Sequence, residues 1–202
     1  VGVYLEGTSS TAKLTKGVAA SGGTPAVPDS PELNFTKGGN DNGDGIIGLY
    51  LKGNTDISTY EKKITVGNTV GTNSAIAIYS EKQGVSGTPY VIKANIKTGT
   101  KAVGIFSAPD REPVPPATTP TLNKSYIKYL GSQMNLGEGS TGFYVNGKTE
   151  LDTTNTTPTT TINLDGGLVA YVTQNSEFVG GKSEVNLSKS GVGVYGERGA
   201  KV

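Results

Sequence analysis

A short phrase recurs seven times along this chain: two or three small or branched apolar residues, then an aromatic. It reads Val1-Gly-Val-Tyr4, Ile46-Ile-Gly-Leu-Tyr50, Ala75-Ile-Ala-Ile-Tyr79, Ala102-Val-Gly-Ile-Phe106, Thr141-Gly-Phe-Tyr144, Leu168-Val-Ala-Tyr171 and Val192-Gly-Val-Tyr195. A phrase that returns while its surroundings change length marks a stacked repeat, in which each unit buries its apolar face against its neighbours. Most of the repeated residues are then structural before they are anything else.

The composition agrees with a thin core. Hydrophobic types make up 34% of 202 residues and Gly alone contributes 30, too lean for one thick globular core. The β-branched patterning is nonetheless too regular for a disordered chain. A single layer of backbone wrapped around a narrow core reconciles the two, because each rung needs only a few inward side chains.

Charge and residue types exclude several functions. Lys and Arg number 18 against 17 Asp and Glu, with Arg111 and Arg198 the two arginines. A nucleic-acid binder would carry a basic stripe instead. Cysteine and histidine are both absent, which removes disulfides, thiolate metal sites and the usual general base. No cofactor is expected. No apolar run approaches the ~18 residues that span a bilayer. The chain opens and closes inside its own phrase, so it reads as a segment of a longer repeat array.

A second phrase precedes the aromatic one: apolar, Asn, apolar, then a Gly-containing turn. It appears at Leu33-Asn-Phe35, Ala94-Asn-Ile96, Met134-Asn-Leu136, Ile162-Asn-Leu164 and Val185-Asn-Leu187. Lys63-Ile-Thr-Val66 and Ala12-Lys-Leu14 look like degenerate copies. Each unit thus holds two or three short strands joined by tight turns. From aromatic to aromatic the spacings are 46, 29, 27, 38, 27 and 24 residues. The shorter values match one coil of a β-helix. The expectation is an all-β chain, residues 1–202 forming one parallel β-helix (a solenoid) of about seven incomplete coils, rising about 30 Å at ~4.8 Å per rung.

The long spacings carry insertions. Residues 21–31 hold three prolines and residues 107–122 hold five. Proline cannot donate to a ladder, so both stretches are expected to leave the sheet as loops, where binding residues often sit. The Thr tract from Thr153 to Thr161 reads as a smaller exposed arm.

Strict alternation assigns faces. Leu49, Ile78, Ile105 and Val194 point inward with Ile47, Ile76, Val103 and Val192. Gly48, Ala77, Gly104 and Gly193 then point outward beside the rings. On this frame Tyr4, Tyr50, Tyr79, Phe106, Tyr144, Tyr171 and Tyr195 form a structural aromatic ladder on the exterior or at a corner. A bend beside the aromatic would reverse the frame, and an internal aromatic stack is the alternative.

Chemistry-bearing motifs are few. Gly38-Gly-Asn-Asp-Asn-Gly-Asp-Gly45 offers Asp41 and Asp44 as oxygen ligands for calcium, but lacks the closing Glu of an EF-hand, and Asx-Gly clusters also make tight turns. A glycosidase-like pair needs two carboxyls about 5 to 9.5 Å apart. The acids here are scattered through unrelated repeat phases, so no catalytic residue is assigned and an enzyme is not expected.

The phrases Asn163-Leu-Asp-Gly-Gly-Leu-Val-Ala-Tyr171, Asn186-Leu-Ser-Lys-Ser-Gly-Val-Gly-Val-Tyr195 and Asn135-Leu-Gly-Glu-Gly-Ser-Thr-Gly-Phe-Tyr144 resemble the passenger regions of the very large type V autotransporter adhesins of fusobacteria. The resemblance covers nearly all of the chain outside the two Pro-rich insertions. It implies a right-handed β-helix displayed outside the outer membrane and tethered by a C-terminal outer-membrane β-barrel of the same precursor. It also implies adhesion to a protein or glycan on host cells or other bacteria, by a monomeric passenger segment. The absence of Cys suits a passenger that crosses the outer membrane unfolded. An inert stalk and a carbohydrate-active β-helix are the alternative functions. The family supplies no short ligand motif for these positions, so no residue role is carried over.

Overall fold

Parallel pairing joins all the strands. The computed structural model describes residues 1–16, 29–36, 41–81, 88–108, 125–154 and 159–202. Its strands are β1 (Val3–Lys13), β2 (Leu33–Phe35), β3 (Ile47–Asp56), β4 (Lys63–Val66), β5 (Ile76–Glu81), β6 (Tyr90–Ile92), β7 (Asn95–Thr98) and β8 (Val103–Ala108). They continue as β9 (Ser125–Tyr129), β10 (Gln133–Leu136), β11 (Ser140–Val145), β12 (Gly147–Glu150), β13 (Thr160–Val172), β14 (Glu177–Val179) and β15 (Ser183–Gly196). The protein is all-β, with no helix among the described residues.

Three rows of strands alternate along the chain. The aromatic phrases lie in β1, β3, β5, β8 and β11, and the Asn-type phrases in β2, β4, β7 and β10. β13 is long enough to carry both phrases, pairing with β10 through its first half and β11 through its second. One curled eleven-stranded sheet therefore contains both rows, with β15 lying along β13. A four-stranded sheet, ordered β14-β12-β9-β6, forms the third row. A single buried cluster takes side chains from both sheets, including Leu49, Ile96, Ile127, Met134 and Phe178.

The register shows why the phrases repeat. Tyr4, Tyr50, Tyr79, Phe106, Tyr144, Tyr171 and Tyr195 are successive partners across the aromatic row. In the other row the column runs Asn34, Thr65, Lys97, Asn135, Asn163, Asn186. Lys63-Ile-Thr-Val66 is thus a true copy of the Asn phrase. Asn95 is not in its column: the Ala94-Asn-Ile96 phrase is offset by two, and Lys97 stands in the Asn position. Ala12 and Lys13 extend β1 opposite Thr55 and Asp56, so Ala12-Lys-Leu14 does not belong to the Asn row.

Half of the expected facing is reversed. Leu49, Ile78 and Ile105 are buried, as alternation requires, but Ile47, Ile76 and Val103 are only half-buried. Gly48, Ala77 and Gly104, placed outside by alternation, are buried. The ladder register steps from Ile47–Ile76 directly to Leu49–Ile78, and repeats that step at Thr141–Leu168 and Phe143–Ala170. Each strand bends at this position, putting two consecutive residues inside before the aromatic emerges. A Cβ on Gly142 would stand 2.6 Å from the Val169 carbonyl oxygen and 3.1 Å from Leu136 Cδ1. The small residue makes room for the core and the neighbouring backbone, not for the rings.

Of the two insertions, residues 21–28 and 109–122 lie outside the described residues. Ser107 and Ala108 complete β8 and are buried. Pro31 accepts a hydrogen bond at its carbonyl from the Tyr60 hydroxyl, 2.7 Å. Residues 155–158 of the Thr tract lie outside the described residues. Thr160 and Thr161 open β13, and Thr160 is buried with its hydroxyl donating to the Gly131 carbonyl, 2.9 Å.

Candidate functional site

The aromatic ladder runs through seven successive strand positions. Consecutive ring centroids are separated by 5.1, 4.8, 5.2, 4.5, 5.2 and 5.2 Å from Tyr4 to Tyr195. The interior pairs lie within 8° to 16° of parallel, and the end pairs open to 32° and 24°. The spacing is imposed by the backbone, since parallel strands lie about 4.8 Å apart. Identical positions on successive rungs then leave aromatic rings no arrangement but a stack, worth about 0.5–1.5 kcal/mol per pair beyond burial.

The rings of the middle rungs are half-buried, while Tyr4 and Tyr195 are 49% and 52% exposed. The ladder is therefore external, with its faces mutually covered and its edges toward solvent. Carboxylates fix the phenol tips. Tyr4 donates to Glu6, 2.9 Å, Tyr50 to Glu81, and Tyr171 to Glu197, 2.8 Å. The bond to Glu197 pushes the Tyr171 phenol up to about 12. Burial first, and then Glu81, raises Tyr50 as well. These phenols stay protonated at neutral pH and serve as donors rather than nucleophiles.

A second polar surface lies along the Asn column. The Asn163 amide donates to Asn135 Oδ1, 2.7 Å, and the Asn186 amide to Asn163 Oδ1, 3.1 Å. An open groove of about 350 Å³ follows this column, lined by Lys97, Asn135, Asn163, Asp165, Asn186 and Ser188 among others. The two surfaces together offer aromatic edges on one row and paired amides on the next. That combination suits contact with an extended polar ligand.

Asp41 and Asp44 sit in a turn. Asp41 adopts φ of 51°, and Asp44 Oδ1 accepts from Gly71 N–H, 3.0 Å, on the following rung. Asn42 Oδ1 accepts from Asp44 N–H, 2.8 Å, closing an Asx turn. Asn40 lies outside the described residues. Among the described residues no group of three acidic side chains is placed to hold a metal ion.

One constellation carries no repeated phrase and was not singled out from the sequence. On the four-stranded sheet, Tyr126 donates to Glu150, 2.6 Å, and Lys128 and Lys148 reach the same carboxylate at 3.7 and 3.8 Å. Lys148 also lies 5.1 Å from the Tyr126 ring centroid. The signal was present as Tyr126-Ile-Lys128 and Lys148-Thr-Glu150, two alternating triplets whose outward residues meet once the strands pair. Comparison with known protein families, with curated proteins and with solved structures gives no match for this chain.

Proposed function

We propose that the chain is a right-handed parallel β-helix and forms part of the passenger of a bacterial surface adhesin. In this reading it stands outside the outer membrane as a monomeric section of a longer passenger, tethered by a C-terminal β-barrel of the same precursor. It mediates or supports adhesion to a protein or glycan on host cells or other bacteria. The observation that carries the reading is the in-register run of aromatics from Tyr4 to Tyr195, which spends the repeated residues on a rigid stack. Such a stack holds its flanking surfaces and loops at fixed heights, which is what a display scaffold requires. No catalytic residue is assigned.

A spacer role is the second reading, favoured by a specific feature. The ring faces are covered by one another and three of the tyrosine hydroxyls are already bound to Glu6, Glu81 and Glu197. Arrays of glycans and host surface proteins separate the two. Binding by the 202-residue chain supports adhesion. Binding by a whole passenger but none by this chain assigns it to the spacer role. Labelling of intact, unpermeabilised cells by an antibody to the chain tests the surface location, and labelling only after permeabilisation contradicts it.

A further inference from the structure

The amide column changes character at one rung. Along the row Asn34, Thr65, Lys97, Asn135, Asn163 and Asn186, Lys97 is the single charged side chain. Beyond it the amides pass hydrogen bonds in one direction. Asn186 Nδ2 donates to Asn163 Oδ1, 3.1 Å, and Asn163 Nδ2 donates to Asn135 Oδ1, 2.7 Å. Asn135 is next in line, and its ladder partner is Lys97, whose ammonium has donors only. Among the described residues neither Asn135 Nδ2 nor Lys97 Nζ meets an acceptor. The run of amides therefore ends on unfilled donors from two adjacent rungs. Both rungs are interior to the stack, since β7 pairs with β4 and β10, and β10 pairs with β7 and β13.

The open groove of about 350 Å³ runs over this junction, lined by Lys97, Asn135, Asn163 and Asp165 among others. Its carboxylate is already neutralised: Asp165 accepts from Ser188 Oγ at 2.8 Å and from Lys189 Nζ at 3.4 Å. Lys97 has no such partner among the described residues, so the groove keeps an uncompensated positive charge. An anion satisfies both sets of donors at once.

Repeat length selects the kind of anion. Each bonded amide of the column keeps an N–H and a carbonyl lone pair to spare, at about 4.8 Å intervals. A donor beside an acceptor is what a sugar hydroxyl engages. An extended β-linked glycan advances by close to one rung per sugar and stays in step with the column. A peptide strand repeats its facing groups every second residue, about 6.6–6.8 Å, and is out of step after one rung. A nucleic-acid strand needs stacking rings and a run of cations along its backbone, which the groove does not line up.

We propose that the groove binds an extended acidic glycan. A carboxylate of one sugar sits between Lys97 and Asn135, and hydroxyls of the following sugars meet Asn135 and Asn163. The biological setting of this ligand rests on the adhesion reading above.

Calorimetric titration of the full chain with defined oligosaccharides tests the site. A hyaluronan hexasaccharide represents a host polymer and a β-linked mannuronate hexamer a bacterial one, with chitohexaose as the uncharged control. An acidic probe is expected to bind at least about ten-fold tighter than chitohexaose, as one charge-assisted contact implies. Lys97→Gln changes an exposed, unpaired side chain and is expected to erase that preference without altering the melting temperature. Lys201→Gln, an exposed cation beside β14, is expected to leave the preference intact. A stronger response to hyaluronan assigns a host ligand, and a stronger response to mannuronate a bacterial one; either supports the site. No binding of either acidic probe, equal binding of chitohexaose, or a preference that survives Lys97→Gln overturns it. An equal loss with Lys201→Gln also overturns it, because general attraction to a charged polymer then accounts for the binding. If the groove fails while antibody still labels intact cells, the surface location stands, so the two readings fail separately.

Discussion

The Tyr50 hydroxyl donates a hydrogen bond to the Glu81 carboxylate on the next rung, so a polar bond crosses the same gap that the stacked rings fill. Burial first, and then this bond, holds the Tyr50 phenol well above its ordinary value of 10.0. Tyr171 reaches about 12 through Glu197, and Tyr90 about 12 through burial. Folded-state values above the unfolded one mean that the stabilisation is complete below about pH 10 and is lost as pH rises through about 12. The melting temperature is therefore expected to hold from neutral pH to about 10 and to fall from there to about 12. Glu197→Gln should bring the Tyr171 midpoint down toward the ordinary value in a phenolate absorbance titration. A midpoint unmoved by that change contradicts the assignment.

The bend before each aromatic predicts a position-dependent cost. Gly142→Leu places a Cβ 2.6 Å from the Val169 carbonyl oxygen, so backbone must shift, at about 1–3 kcal/mol. Gly193, in the same column on β15, has nothing within 4 Å of a built Cβ. Gly193→Leu is expected to stay within ~0.5 kcal/mol of the native chain. Urea denaturation of the two variants compares them directly, and equal losses would refute the bend.

Much of this was legible before any coordinates. Aromatics at one repeat position must stack once rungs pair in parallel, so the phrase alone foretold the ladder from Tyr4 to Tyr195. The inward frame was legible only where the strand is straight. Alternation assumes a flat pleat, and the bend at Gly48 and its equivalents consumes one residue of that count. Asn95 misled for a different reason. A register shift of two leaves every side chain on its own face, so the pattern of apolar residues could not tell Asn95 from Lys97. The triplets of Tyr126 and Glu150 alternate visibly, but the third row carries short strands without a shared phrase, so nothing in the sequence said that those two triplets pair.

The amide column predicts a local loss. Asn163 both donates to Asn135 and accepts from Asn186. Asn163→Ala removes both bonds and should cost about 1–2 kcal/mol, at 0.5–1.5 kcal/mol per bond. Asn34→Ala, at the exposed start of the same column, should cost less than ~0.5 kcal/mol. Chemical denaturation reads both, and a costless Asn163→Ala rules out a stabilising amide ladder.

Ser80 and Ser107 are ladder partners whose buried hydroxyl oxygens have no hydrogen-bond partner among the described residues. A buried unpaired hydroxyl carries a desolvation cost that an alanine does not. The Ser80→Ala/Ser107→Ala variant is expected to match or exceed the native chain by up to about 1 kcal/mol in thermal denaturation. A loss of similar size would mean that those hydroxyls are satisfied.

The central claim is that the chain is an in-register parallel stack, and one distance measures it. The native sequence has no cysteine, so Asn34→Cys and Asn186→Cys install two spin labels without background. Both positions are exposed and occupy one column, five rungs apart. At ~4.8 Å per rung, pulsed electron–electron resonance should give a narrow distribution centred near 24 Å. A broad distribution, or a centre beyond about 35 Å, would contradict the stack, since parallel rungs at ladder spacing cannot hold the two positions that far apart.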